Sequence, residues 1–598
     1  MKCSSPVFAN LPAHGGWLLF PVALFLACFL SSAIIPPFQS PDEFDHVKRA
    51  YLLTQGRIVL DSPEGNSSGG MIDTGLLAYM RSYGNVPFHP DRKLSADEID
   101  EAKSIQWAGT REFSPAPGTG YYFPLIYAPQ ATGLIIGEML GVSVEQSYRL
   151  ARFFVLVFAS LIIAVAFLIH RPPPLVAALL VIPMSLFQFS SASLDGLSTA
   201  LSILAISVFM RIAMDKKQAG LWLLHVLTGS VILVVGCRVH LLPLILLIFG
   251  TFFFTKSSKS LIAGGVASIL VVLWLAVAFK STVDNRFAAG LPVSRILFHY
   301  LANPSSFVRV LIATLSSADL ARFYAQSFFG ILGWLDARFP DDIYTWLYAL
   351  FFLVAIFSTS FRNIEAEWLV RLLLVICAFC SILLIFLALL VTWNAHPASV
   401  IQGVQGRYFI VPALLIAYAL DCSSGSDSPS LAGPALLAAF FLFSLFNTGN
   451  LLLDRYYLFA EQPQMAKLEM RATPPLTRDV SIKLTMHRQQ NEKPSSLKRI
   501  AVMFGTHMRK NSGSAELRLT TKEGDGLAVS FDLSDLADNQ YRWFDLDDRP
   551  YVAGEVLFST GGGISIWEVH DDKGPVSSCL IYEFSNGSKR YTKACPRP

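Results

Sequence analysis

The sequence predicts a polytopic α-helical membrane protein with a β-sandwich domain at its C-terminal end. Three observations predict it. Hydrophobic residues make up 53% of the 598 residues and charged residues only 15%, against about 25% charged in a soluble globular chain. Apolar runs recur along the chain, each close to the ~20 residues that cross a hydrocarbon core. From about residue 470 the pattern changes to short β-rich segments separated by Gly, Asp and Asn. A single soluble core is excluded. A net charge of +3 with no Lys/Arg-rich stripe argues against a nucleic-acid partner.

Eleven runs have the character of spanning helices: 17–36, 152–169, 175–190, 196–214, 220–237, 241–255, 260–279, 343–360, 370–392, 407–421 and 431–452. The first follows Lys2 but has no small-residue cleavage site, so it reads as an uncleaved helix rather than a signal peptide. Short loops bearing Lys and Arg stay cytoplasmic. Arg171, Arg211 with Lys216 and Lys217, Lys256 with Lys259, and Arg362 with Arg371 all fall on that side if the N-terminus is cytoplasmic. Tyr121 to Leu140 is apolar but broken by Pro124, Pro129 and glycines, and a full crossing there would invert every later loop. It reads as a re-entrant or interfacial segment, which covered backbone tolerates. The division expected is a transmembrane domain over 1–455, with a long first outer loop at 37–151, and an extracytoplasmic domain over 456–598.

Segments such as "AELRLTT", "LAVSFDL" and "GEVLFST" point to a sandwich of strands in that last region. Cys3, Cys28, Cys237, Cys377, Cys380 and Cys422 lie in or beside apolar segments; Cys377 and Cys380 have redox-motif spacing but sit inside an apolar run and read as packing residues. Cys579 and Cys595 stand in the polar C-terminal region, where an oxidising compartment would let them pair.

The polar residues that invite a chemical explanation collect on one side of this topology. "PPFQSPDEFDH" places Asp42, Glu43, Asp45 and His46 just after the first helix. They are either a solvated helix cap or acid/base groups in a cavity at the membrane surface. Asp195, in "FSSASLDGLSTALS", either caps the helix that follows it or lines the same cavity. "VQGRYFIVPALL" offers Arg407 and Tyr408; the arginine either snorkels to headgroups or clamps a phosphate with its planar fork. Arg238 and His240 lie in another outer turn, and "GWLDARFPDD" supplies Trp334, Asp336, Arg338, Asp341 and Asp342. There is no Walker loop, no dinucleotide glycine motif and no zinc-ligand spacing.

In order along the chain, "SPDEFDHVKRAYLLTQGRIV", "SASLDGLSTALSIL", "FGILGWLD" and "VQGRYFIVPALL" resemble a family of bacterial multi-span proteins of unassigned activity. That family resembles the GT-C superfamily of membrane glycosyltransferases, and the similarity covers about residues 15–455. The resemblance implies an acidic motif in the first outer loop, matched by Asp42 and Glu43, and a second acidic position, matched by Asp195. It also implies that "YYFPLIYAPQATGLIIGEMLG" lies along the membrane. Such enzymes transfer a sugar from a polyprenyl-phosphate carrier to an acceptor outside the cytoplasm, usually with inversion. A glycan or surface polysaccharide is the acceptor expected here, at the bacterial inner membrane. Asp42 would be the general base, with Glu43 as its understudy. Arg407, and secondarily Arg238, would stabilise the leaving phosphate; Trp334, read from its residue type alone, would either stack on a sugar or anchor in the interface. A Mg or Mn ion on Asp42 and Asp195 would serve the same end. The C-terminal domain resembles carbohydrate-binding sandwiches. Two alternatives are a transporter or flippase for a lipid-linked glycan, although no repeated halves are evident, and a non-catalytic scaffold.

Overall fold

Apolar helices with no polar stripe must be covered by one another or by lipid. The computed structural model describes residues 15–286, 291–358, 367–420, 432–458, 469–475, 481–486, 496–558, 560–571, 574–585, 587, 589–592 and 594–596. Lys2, Cys3, Arg362 and Cys422 lie outside them. The chain divides into two units, Met1–Phe459 and Ala460–Pro598.

The first unit is helical. Five helices are long and apolar enough to cross a membrane: Val144–Ile169, Asp195–Gln218, Ser258–Ser281, Trp368–Thr392 and Gly433–Tyr456. The pair Val293–Ala302 and Pro304–Leu315, bent by 98°, makes a sixth if it is one broken span. Shorter apolar helices occupy Leu19–Ile34, Leu221–Cys237, Val239–Thr255 and Gly406–Ala419. The Asp195–Asp215 helix is buried along nearly its whole length and forms the centre of the unit. Ser258–Ser281 leaves Ile262, Ile269, Val272 and Leu273 exposed, as expected of a helix that faces lipid.

The helices differ from the expected spans in three places. The run 175–190 is two helices of seven residues each, Pro174–Leu180 and Pro183–Phe189. Pro183 cannot donate its backbone nitrogen, so the ladder breaks before it. The region 280–342, expected as an outer loop, contains the bent apolar pair with Asn303-Pro304 at its elbow. The run 407–421 begins as a 3-10 turn, Gly406–Phe409, and continues as a helix only over Ile410–Ala419.

Tyr121–Leu140 is a 3-10 turn at Pro124–Tyr127 and a helix at Ala128–Met139. Twelve residues reach only about 18 Å, too short to cross. Gly133 and Gly137 let this helix touch Val144–Ile169 directly: a Cβ at Gly133 would stand 2.4 Å from the Ala151 nitrogen. The Gly433–Tyr456 helix ends in a latch. Arg455 donates to the Asp336 carboxylate at 2.6 Å and to the carbonyls of Val86 and Arg92, while Lys93 donates to the carbonyls of Asp454 and Arg455.

The second unit is β-rich. One sheet has the strand order Gly574–Ser578, Ser565–Asp571, Leu497–Gly505, Leu580–Phe584 and Lys589–Tyr591, with Gln540–Arg549 also pairing Leu497–Gly505 and Glu469–Ala472 pairing Ser565–Asp571. The other runs Ser481–Leu484, Tyr551–Phe558, Ser514–Thr521, Gly526–Asp532. Alternate residues of both sheets share one core, with Ile500, Val502, Phe504 and Leu580 from the first and Leu517, Leu519, Val556 and Phe558 from the second. The pairing of Cys579 with Cys595 is made, with Cα atoms 5.7 Å apart, and Cys28, Cys237 and Cys377 are buried free thiols.

The bridge closes a loop with a sequence separation of 16. Replacing both cysteines with serine should destabilise the β-rich unit by about 3 kcal/mol. Proteolysis of the full chain across a urea series will register this as a lower midpoint for cleavage within 469–596. An unchanged midpoint would deny the bridge that role.

Candidate functional site

The site begins with an aspartate that starts a helix without capping it. Asp42 adopts φ 62° and ψ 5°, a left-handed conformation that aspartate tolerates better than most residues. Its backbone carbonyl accepts from the N–H groups of Asp45 and His46, both at 3.0 Å, and so opens the helix Glu43–Thr54. Its side chain makes no cap bond. The carboxylate goes instead to Arg407, whose Nη2 lies 3.3 Å away.

Arg407 is a bridge. Its Nη1 lies 3.3 Å from Asp195, and Asp195 in turn pairs with Arg238. The result is an alternating row, Asp42–Arg407–Asp195–Arg238. Asp195 is the first residue of its helix, where a carboxylate suits the positive end of the dipole. Its carboxylate is directed to the two arginines, and the Asp195 N–H is satisfied by Ser193 Oγ at 3.4 Å. The Asp195 side chain therefore does not cap its helix; it is buried between the two arginines.

Arg407 is placed by a tight turn. The Gly406 N–H donates to Ser327 Oγ at 2.8 Å, and a Cβ at Gly406 would stand 2.0 Å from the Phe328 nitrogen. Only glycine allows this approach. Arg238 sits at the break between Leu221–Cys237 and the 3-10 turn Val239–Leu244, with its guanidinium 5.6 Å from the Tyr122 ring centroid.

Glu43 has a different part from its neighbour. It is fully buried, and its carboxylate accepts from Tyr148 Oη at 2.7 Å, the Ala192 N–H at 2.7 Å, the Ser40 N–H at 3.1 Å, and Arg152 Nε and Nη2 at 3.3 and 3.4 Å. With every lone pair engaged and no water access, it cannot exchange protons with a substrate. It is a positioning residue, and the expectation of it as a second base is corrected on that ground. Arg152 continues the lock by donating to the carbonyls of Ser32, Ile35 and Pro36 at the end of the first helix. Gln130 donates to the Ala192 carbonyl, so the turn that presents Asp195 is held from both sides.

The other expected site residues divide. Tyr408 lies beside Arg407, with its ring 5.3 Å from the guanidinium, and 6.3 Å from the His240 ring. Trp334 donates to the Phe38 carbonyl at 3.0 Å and packs on Phe44 and Phe88, which places it in the loop's support. Asp336 belongs to the latch with Arg455, accepting also from the N–H groups of Phe88 and Trp334. Neither role leaves it free for a substrate. Sequence reasoning missed Tyr148, Arg152, Gln188, Ser327 and Gln405. The signal for Arg152 was an arginine at the edge of the apolar run of its helix.

A small cleft, with room for about one water molecule, adjoins Arg407. Pro41, Met184, Phe187, Ile331 and Leu335 make its apolar wall; Arg407, Gln188, Ser327 and Gln405 make its polar one. Arg407 Nε and Gln405 Oε1 are buried with no hydrogen-bond partner among the described residues.

Charge is unevenly held around Asp42. Burial opposes its ionisation, but Arg407, helped by Arg286, outweighs it and holds the carboxyl below its usual range. Burial pushes Asp45 up to about 6 despite Lys48 at 3.3 Å. Burial lowers His46 to about 3, so the ring is neutral, with Nδ1 2.8 Å from Tyr127 Oη. The donor set does not suit a divalent metal. A guanidinium stands between the carboxylates of Asp42 and Asp195, and no three His, Cys, Asp or Glu side chains among the described residues are grouped to hold an ion.

A family model described as "Predicted membrane protein (DUF2142)" matches residues 24–417. No curated protein matches the chain.

Two measurements test this electrostatic picture. Glu43→Ala leaves the buried Arg152 charge unpaired and should cost about 3–5 kcal/mol, seen as a lower thermal midpoint in detergent; wild-type stability would refute the lock. Asp45 holds its proton in the folded protein up to about pH 6 and in the unfolded chain only to about 3.9. Its contribution is therefore full below pH 4 and lost as pH rises through 6. The loss of thermal midpoint between pH 4 and 6 should be smaller in Asp45→Asn than in wild type.

Proposed function

The chain belongs to the DUF2142 family of predicted membrane proteins, and from that premise we propose that it is a membrane glycosyltransferase. On this reading it moves a sugar from a polyprenyl-phosphate carrier to a glycan acceptor outside the cytoplasm. The observation that carries the reading is the row Asp42–Arg407–Asp195–Arg238 beside an apolar-walled cleft in a helical membrane unit. The resemblance of its motifs to the GT-C superfamily adds to it.

The chemistry follows from the placement. Asp42 has the most exposed carboxylate of the row and accepts the proton of the acceptor hydroxyl. The hydroxyl oxygen attacks the anomeric carbon as the bond to the carrier phosphate breaks on the opposite face, so the centre inverts. The phosphate gains negative charge as it leaves. Arg407 is preorganised by Asp195 to meet that charge, with Arg238 behind it.

The shorter apolar helices, the divided 174–189 pair and Asp341–Ser358 would bring the crossings to eleven, with the N-terminus cytoplasmic. That topology places the site and the β-rich unit on the extracytoplasmic side of a bacterial inner membrane. There the β-rich unit holds the acceptor glycan.

The purified protein should transfer sugar from a polyprenyl-phosphate donor, and Asp42→Asn should lower kcat by about 10²–10⁴-fold. Transfer that survives the substitution would remove Asp42 as the base. No transfer with any donor, accompanied by lipid-linked glycan movement across vesicles, would replace the enzyme with a transporter.

A further inference from the structure

We propose that Asp42 occupies, in the resting protein, the place on Arg407 that a substrate phosphate takes, so that the arriving anion frees the carboxylate needed for the next step. The inference rests on the reading of the site as one that receives a phosphate. It adds a built-in competition between the acid and the ligand.

Four observations carry it. First, the members of the row differ in their freedom. The Asp42 side chain is 45% exposed, whereas those of Arg407, Asp195 and Arg238 are 6%, 10% and 15% exposed. Only Asp42 can leave the row into water. Second, its contact is loose. The Arg407–Asp42 distance of 3.3 Å exceeds the ~2.7–2.9 Å of a close charge-assisted bond; Arg407 is equally far from Asp195, so exposure is what sets Asp42 apart. Third, the carboxylate has no second duty. The Asp42 backbone alone opens the helix, so the side chain can change rotamer without disturbing Glu43–Thr54. Fourth, Arg407 does not follow Asp42 out. Asp195 and the turn at Gly406 hold it, and its buried Nε lacks a partner on the residue that lines the cleft.

A phosphate that reaches Arg407 from the exposed side of Asp42 offers an arginine two oxygens where Asp42 offers one. Its charge also repels the neighbouring carboxylate. Displaced from Arg407, Asp42 loses the cation that suppresses its basicity and turns toward the acceptor side. The resting protein thereby keeps both the arginine and the base neutralised by each other. The same contact that weakens phosphate binding stores the base in an inactive state.

The test compares binding of two probes, inorganic phosphate and a short-chain polyprenyl phosphate, to the full chain in nanodiscs. Wild type is set against Asp42→Asn, Asp42→Glu and Arg407→Gln, with thermal midpoints confirming that each is folded. Removing the competitor should tighten binding about fivefold in Asp42→Asn, the upper range for a partly exposed ion pair. Asp42→Glu, which keeps a carboxylate, should stay near wild type, and Arg407→Gln should lose binding. Tightening with both probes identifies the phosphate group itself as the competitor; tightening with the polyprenyl phosphate alone assigns it to a lipid-borne phosphate. Equal affinity of wild type and Asp42→Asn for both probes would overturn the competition while leaving the phosphate site standing. No binding of either probe to either protein would overturn the phosphate site as well.

Discussion

Glu43 has no contact with solvent, and a buried carboxylate is stable only if every oxygen lone pair finds a donor. Its donors come from three places: Ser40 in the loop after the first helix, Tyr148 and Arg152 on the long helix, and Ala192 in the turn before the central helix. Satisfying one charge therefore brings those segments to one point. Asp42 is its chain neighbour, and Asp195 lies three residues past Ala192. The two acids of the site are brought together by a third that takes no part in the chemistry.

The arginine between Asp42 and Asp195 explains why these acids can coexist in a region of low water content. Two carboxylates facing each other would drive one to protonate. With Arg407 between them and Arg238 beyond, the row carries equal numbers of positive and negative groups. Asp42 is its one markedly exposed member; Arg407, Asp195 and Arg238 are largely buried. The buried members are fixed and the open end is able to change partners.

Much of this was legible from the chain itself. Asp42, Asp195 and Arg407 were marked because ionisable residues at the ends of apolar runs are rare enough to need a reason, and the structure joins all three. The cysteine pair was legible because both members stand in polar sequence. The division of 174–189 was visible in principle, since Pro183 interrupts the run. The roles of Glu43 and Asp42 could not be separated, because adjacent carboxylates look alike until their partners, more than a hundred residues away, are known. Asp336 was misplaced for the same reason: its partner Arg455 is 119 positions distant. The bent pair at 293–315 escaped because its apolar residues are interleaved with Arg295, His299 and Arg309, which dilutes a hydropathy window.

The latch at Arg455 bears on the mechanics of the chain. It lies four residues before Phe459, where the helical unit ends. A helix normally frays at its last turn, where carbonyls have no intrahelical partner. Here Lys93 takes the carbonyls of Asp454 and Arg455, while the Arg455 guanidinium is itself anchored on Asp336 and Val86. Tension on the segment that follows is thus carried into the loops that bear Val86 and Asp336 and not into the helix's own hydrogen-bond ladder. The helical unit can be pulled at its exit without unwinding from that end.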